Sequence, residues 1–415
     1  HPPYTRSPVT PMVTIQDVKV ILTAPAGINL VVVKVLTSEP GLYGVGCASF
    51  TQRYMAVQAA IDAHLKPLVV GRDVDRIEEL FQLMMIHGYW RNGPVLNNGI
   101  AGIDIALWDI KAKRAGMPLY DLLGGKCREA AAMYRHAGGR DHIELEDSVR
   151  KFMEQGVRHM RVSVGGYGGP RFDEDDSRHW DRPDGALDGD YFDRRTYTRT
   201  NLAGISRLRS AVGDDVELMH DVHERLLPAE AVEFARELEP LRLFFLEDLL
   251  APEDIEWFAN VRAVCTTPLA MGELFNHPRE WTPLITGRLI DFMRMHITQM
   301  GGLTPARKVT ALGELHGVRT AWHGPGDVSP VGHTLNLHLD LVSPNFGIQE
   351  HAGFGEQLRE VFPGAPELRR GYLYPNDQPG LGIDIDEVAA AKYPCKSLVD
   401  TWTQTRIFDG SIARP

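Results

Sequence analysis

The chain reads as an α/β protein, a modified (β/α)8 barrel carrying an N-terminal α+β capping domain. Three observations predict it. Asp221 in VELMHDVH, Glu247 in LFFLEDLL and Glu273 in PLAMGELF each close a short apolar run, and both intervals between them are 26 residues. That is the length of one strand–helix repeat, and the active site of such a barrel lies at the C-terminal ends of its strands. After about residue 129 strand-like and helix-like patterns alternate, whereas residues 12–50 read as strands alone.

In order along the chain, VTIQDVKVILTA and INLVVVKVLTS are rich in β-branched residues, and EPGLYGVGCASF supplies a turn and a third strand. From about residue 53 the period changes to helical. Met55, Ala59, Ile61 and Leu65 make one stripe, and Ile100, Ile103, Leu107 and Ile110 a cleaner one. Residues 1–128 are therefore expected to form the cap. Residues 129–385 hold eight candidate strands, enough to close a barrel: AAMYRHAGG, HMRVSVGG, VELMHDVH, LFFLEDLL, PLAMGELF, IDFMRMHITQ, VRTAWHGPG and NFGIQEH. Residues 386–415 lack this pattern and are expected to return toward the cap. Between the second and third barrel strands lies a long, acidic, Gly-rich segment, 165–193, which reads as a lid, an interface element or a solvated insertion.

A hydrophobic fraction of 43% and a charged fraction of 24% are those of an ordinary globular protein, and a net charge of −11 argues against nucleic acid as partner. No run approaches the roughly 20 apolar residues of a membrane span. Cys47, Cys127, Cys265 and Cys395 are scattered, which suits a reduced, cytoplasmic setting. The opening HPPYTRSPVTP has no apolar signal core and reads as a trimmed end.

Three acids on neighbouring strand ends tolerate one another only around a cation, and all-oxygen ligation points to Mg²⁺. Other polar residues share that face: His136 on the first strand, Arg161 and Tyr167 on or beyond the second, and His223 two residues past Asp221 on the same strand face. Arg294 lies in the sixth strand, His323 and Asp327 follow the seventh, and Glu350 ends the eighth. A divalent ion on a substrate carboxylate favours loss of the α-proton, and histidines can take that proton or protonate a departing β-hydroxyl. Elimination of water is the leading expectation. Epimerisation, needing two bases on opposite faces, is the alternative, as is a regulatory protein that binds metal and sugar acid with little turnover.

ALWDIKAKRAGMPLYDLLGGK, HDVHERL, FFLEDLL, MGELF, QMGGLTPARK, AWHGPGDVSPVGH and PNFGIQE resemble the enolase superfamily over nearly the whole chain, and more narrowly its mannonate dehydratase subgroup. The resemblance implies Asp221, Glu247 and Glu273 as Mg²⁺ ligands. It implies His223, His323 and Arg161 with Tyr167 as catalytic residues, and Asn29, His136, Arg294, Asp327 and Glu350 as substrate contacts. It further implies dehydration of D-mannonate or D-gluconate to 2-keto-3-deoxygluconate by a homo-oligomer, from dimer to octamer. The racemase Lys-x-Lys is replaced by Arg161-Val162-Ser163. Three features depart from the subgroup: Tyr167 stands earlier in its loop, Pro325 follows His323-Gly324, and the terminal DGSIARP lacks the tryptophan of a closing tail.

Overall fold

The computed structural model describes residues 12–165, 183–397, 399–400 and 402–414. The β-branched segments near its start form an antiparallel sheet of β1 (Ile15–Thr23), β2 (Leu30–Thr37) and β3 (Tyr43–Cys47), in that order. The helix Pro94–Arg114 packs on it, with Ile100, Ile103, Leu107 and Ile110 all buried. A Cβ at Gly44 or Gly46 would lie 2.0 Å from Ala106 O or 1.9 Å from Gly102 O, so glycine alone lets β3 approach that helix. The first helix, Tyr54–Ala60, turns a different face inward from the expected one. Met55 and Ala59 are exposed, and the buried stripe is Val57, Ile61 and Leu65, spaced four apart.

The barrel strands are β4 (Ala131–Gly139), β5 (His159–Val164), β6 (Glu217–Asp221), β7 (Phe245–Glu247), β8 (Leu269–Met271), β9 (Phe292–Met293), β10 (Arg319–Thr320) and β11 (Gln349–Glu350). From β4 to β10 successive strands pair in parallel, and β11 pairs in parallel with β4 through Gln349↔Met133 and Glu350↔Tyr134. Closure on the other side runs through Thr320, whose carbonyl accepts from Gly347 N (2.9 Å) and Ile348 N (3.2 Å). Each expected barrel strand is present. A short hairpin absent from the sequence reading, β12 (Glu367–Arg369) and β13 (Tyr372–Tyr374), adds antiparallel to β4. Beyond it, Glu387 pairs with Lys19 and Lys34, and Ala24 N donates to Tyr393 O (2.7 Å), so this segment packs on β1 and β2.

The floor of the barrel explains where the polar residues stand. Tyr134, Met219, Phe245, Ala270, Phe292, Ala321 and Ile348 pack together as one buried layer. Alternation along a strand returns the side chain to the interior two residues later. Two residues beyond six of these stand His136, Asp221, Glu247, Arg294, His323 and Glu350. The apolar floor thus carries a polar ring directly above it. On β8 the place above Ala270 falls to Gly272, at φ 145°, and Glu273 arrives from the turn that follows.

Candidate active site

Asp221 and Glu247 are register partners across β6 and β7, but Glu247 pairs with Ala270 on β8, so equal sequence spacing does not put Glu273 at the same height. Gly272 accounts for the difference. Its φ of 145° disfavours other residues, and a Cβ there would lie 2.9 Å from Met295 N. Glu273 consequently faces His323, with Oε2 3.1 Å from His323 Nε2 and 3.7 Å from an Arg294 nitrogen. The acid grouped most tightly with Asp221 and Glu247 is Asp248, each of the three offering an oxygen within 4.8 Å of the others.

Two arginines hold the acids together. Arg161 Nη1 lies 2.8 Å from Glu247 Oε1 and 3.0 Å from Asp221 Oδ2. Arg294, fully buried, pairs with Glu247 and lies 3.0 Å from Glu350 Oε2. Glu350, also fully buried, accepts from Gly324 N (2.8 Å) and lies 2.6 Å from His136 Nε2. Arg294 and Glu350, expected to touch substrate, are fully buried within the ring and pair with each other and with neighbouring ring residues. A cavity of about 120 Å³ opens above, lined by His136, Arg161, Ser163, Asp221, His223 and Arg225.

Burial dominates the electrostatics. It pushes Asp221 up to about 6 against the pull of Arg161, and Glu247 up to about 7 against that of Arg294. Glu224 is driven up to about 9 by burial and by the nearby Glu273 and Asp221, and Asp248 well above the usual range by burial and the same neighbours. For Glu273 burial also disfavours charge, yet His323, His223 and Arg294 outweigh it and hold the carboxyl well below its usual range. His323 moves the other way: burial opposes its charge, but Glu273 and Glu350 raise it to about 9.

His223 is not on the strand face, as had been expected. β6 ends at Asp221, and His223 (φ 54°) and Glu224 (φ 61°) are left-handed, as is Asp248 (φ 42°). Such non-glycine conformations cost about 1–3 kcal/mol each and gather at functional sites. His223 N donates to Asp221 Oδ1 (2.7 Å), and its ring lies 5.7 Å from that of Trp402. A tryptophan is thus present against His223, farther upstream than the terminal DGSIARP. Arg406, four residues on, pairs with the segment Asp190–Phe192 through Arg406 N→Asp190 O (2.9 Å) and Phe192 N→Arg406 O (2.6 Å).

Asn29 is buried away from the acids' hydrogen-bond network, its amide spent on the backbone of Lys396 through Nδ2→O (2.6 Å) and N→Oδ1 (3.0 Å). Asp327 lies near His323, with Oδ1 buried and lacking a hydrogen-bond partner. Tyr167 lies outside the described residues. Sequence reasoning missed Asp248, Glu224 and His296. The first two directly follow Glu247 and His223, where strand alternation points outward; only the left-handed backbone turns the chain back. His296 had a visible signal, since Arg294-x-His296 repeats the spacing of Asp221-x-His223.

Comparison with known proteins places this architecture. Residues 6–124 match the mandelate racemase / muconate lactonizing enzyme N-terminal domain, and residues 144–389 the enolase C-terminal domain-like family. The D-galactonate dehydratase family member RspA of Pantoea ananatis is 52% identical over 412 residues, covering 97% of this chain and 99% of that protein. Family member SEN1436 of Salmonella enteritidis PT4 is 51% identical, covering 97% and 98%. A crystal structure of an enolase from Pantoea ananatis with bound D-gluconate and Mg superposes with a TM-score of 0.94 at 52% identity, over 97% of this chain and 100% of that one. These relatives bear the galactonate rather than the mannonate dehydratase name. The chain belongs to the enolase superfamily and, within it, to the D-galactonate dehydratase family.

Proposed function

We propose that this protein is a Mg²⁺-dependent hydro-lyase that dehydrates an aldonic acid of the D-gluconate or D-mannonate type to the 2-keto-3-deoxy acid. The observation that carries the reading is the polar ring over the barrel floor, with Asp221, Glu247, Asp248 and Glu273 on one side and His323 facing them. The similar Pantoea ananatis structure with D-gluconate and Mg supports the choice of ligand class.

The donor set fits the ion. Burial raises Asp221, Glu247 and Asp248, Asp248 Oδ2 is buried without a hydrogen-bond partner, and the guanidinium of Arg161 already sits against two of these acids. Asp221, Glu247 and Glu273 would hold Mg²⁺, with Asp248 beside them. When bound, the ion supplies positive charge that makes loss of a proton next to the substrate carboxylate less costly.

His223, or Tyr167 activated by Arg161, takes the C2 proton. His323 gives its Nε2 proton to the 3-hydroxyl as the C3–O bond breaks, and water leaves. The resulting enol becomes the 2-keto acid by protonation at C3. Its tie to Glu273 and Glu350 keeps His323 charged near neutral pH, as a proton donor must be. His136 and Asp327 hold substrate hydroxyls, while Arg294 and Glu350 brace the acids from within the ring. A reducing, cytoplasmic setting suits the four free cysteines, and a homo-oligomer is what the family resemblance implies.

The test is a panel of aldonic acids, including D-gluconate, D-mannonate and D-galactonate, incubated with protein and Mg²⁺ and assayed for 2-keto-3-deoxy acid. Product from at least one, abolished by His323→Asn, is expected. No product from any of them would sink the reading.

A further inference from the structure

A second group of ligating side chains lies beside the acids, at the ends of β9 and β10. His296, His323 and Asp327 each offer a ligand atom, and these atoms all lie within 4.8 Å of one another. His296 Nδ1 and His323 Nδ1 are only 2.7 Å apart, with ring centroids at 4.9 Å. Two imidazole nitrogens cannot aim lone pairs at each other at that distance, so a proton is shared between them. His296 is 3% exposed, and Asp327 Oδ1 is buried without a hydrogen-bond partner. An orphaned polar atom of this kind calls for an explanation, and an unfilled coordination role is one.

The donor chemistry differs from that of the neighbouring acids. Carboxylates alone suit Mg²⁺, whereas imidazole suits Zn²⁺, Ni²⁺ and Cu²⁺. We propose that His296, His323 and Asp327 form a second metal site, which takes a transition ion such as Zn²⁺ while the carboxylates hold Mg²⁺. Two histidines and one carboxylate give three protein ligands and leave the fourth position to water. With metal–ligand distances of about 2.0–2.2 Å, tetrahedral ligands stand roughly 3.3–3.5 Å apart. The imidazole nitrogens must therefore part by roughly 0.6–0.8 Å and Asp327 must close in. Asp327 ends the Gly324-Pro325-Gly326 turn and is only partly buried, so it has room to do so. On entry the shared proton passes to solvent, and no other bond is made or broken.

The site shares His323 with the chemistry assigned above. If that assignment is right, a transition ion bound here also silences turnover by engaging the acid. The metal site itself stands apart from that consequence, so binding is the measurement to make.

Mg²⁺-saturated protein is titrated with Co²⁺ and followed by visible absorption. The expected result is the strong bands of four-coordinate, nitrogen-ligated Co²⁺, saturating at roughly one equivalent and displaced by Zn²⁺. In His296→Asn, Co²⁺ affinity falls at least about tenfold, while thermal stabilisation by Mg²⁺ is unchanged. Asp327→Asn gives the same comparison should His296→Asn fold poorly. Weak bands of six-coordinate, oxygen-ligated Co²⁺ alone, or strong bands unaltered in both variants, would overturn the proposal. Loss of dehydration with Co²⁺ binding intact bears only on the reaction.

Discussion

The carboxylate of Asp104, on the long helix of the cap, accepts hydrogen bonds from Thr304 N (2.9 Å) and Thr304 Oγ1 (2.5 Å), capping the barrel helix Leu303–His316 from another part of the chain. Gly302 makes room for it, since a Cβ there would lie 2.7 Å from Asp104 Oδ2. Trp108 Nε1 completes the junction by donating to Thr304 Oγ1 (2.9 Å). This contact gives QMGGLTPARK a structural reason independent of chemistry.

Burial raises Asp104 to about 7 against the hydrogen bonds of Thr304. A raised acid contributes stability that is complete below its ordinary value of 3.8 and is lost as pH rises through about 7. The stability of Asp104→Asn relative to the parent should therefore rise between pH 5 and pH 8. Urea denaturation at both pH values tests this, and a pH-independent difference would refute it. Asp104→Ala should lose about 1–3 kcal/mol by stranding the Thr304 donors.

Metal binding should be coupled to proton release. With Asp221 raised to about 6, Glu247 to about 7 and Glu224 to about 9, the metal-free site holds protons near neutrality that a cation must expel. The gain in melting temperature from a fixed Mg²⁺ concentration is expected to grow from pH 5.5 to pH 8. Calorimetry in buffers of different ionisation heat should register the released protons; equal heats in all of them would contradict the coupling.

Arg294 is a counter-ion to three acids, Glu247, Glu350 and Glu273. Arg294→Met removes it and leaves buried carboxylates uncompensated, a change that costs about 3–5 kcal/mol. Added Mg²⁺ should restore part of that loss. A variant as stable as the parent without metal would mean that the acids are protonated throughout.

Trp402 sets its ring against His223 at 66° between planes. Trp402→Ala forfeits about 1 kcal/mol of aromatic contact with His223, which lines the cavity. A KM for the aldonic acid raised by a factor of about five, together with a small fall in melting temperature from the lost contact, is the expected result. A drop in stability with KM intact would assign the ring a packing role only.

What was legible in the sequence is what period-2 alternation carries. Phe245 and Glu247, or Phe292 and Arg294, declare floor and ring from their spacing alone, and the eight strands follow from the same pattern. Residues at breaks in that pattern were hidden. Asp248 and Glu224 follow strand ends where only a left-handed backbone returns them, and no local rule announces φ 42° or 61° at an acid. Trp402 and Asn29 depend on the path of the C-terminal segment, which long-range packing decides. Met55 and Ala59 failed because two stripes fit one short helix, and the cap selects Val57.

Gly272 divides the acids into two mechanical kinds. Asp221 and Glu247 stand on hydrogen-bonded strand ends, while Glu273 stands on the turn after β8. A substitution in that turn would shift one acid and leave the paired strands as they are. Drift in ion preference among relatives should therefore track the turn after β8 rather than the strands.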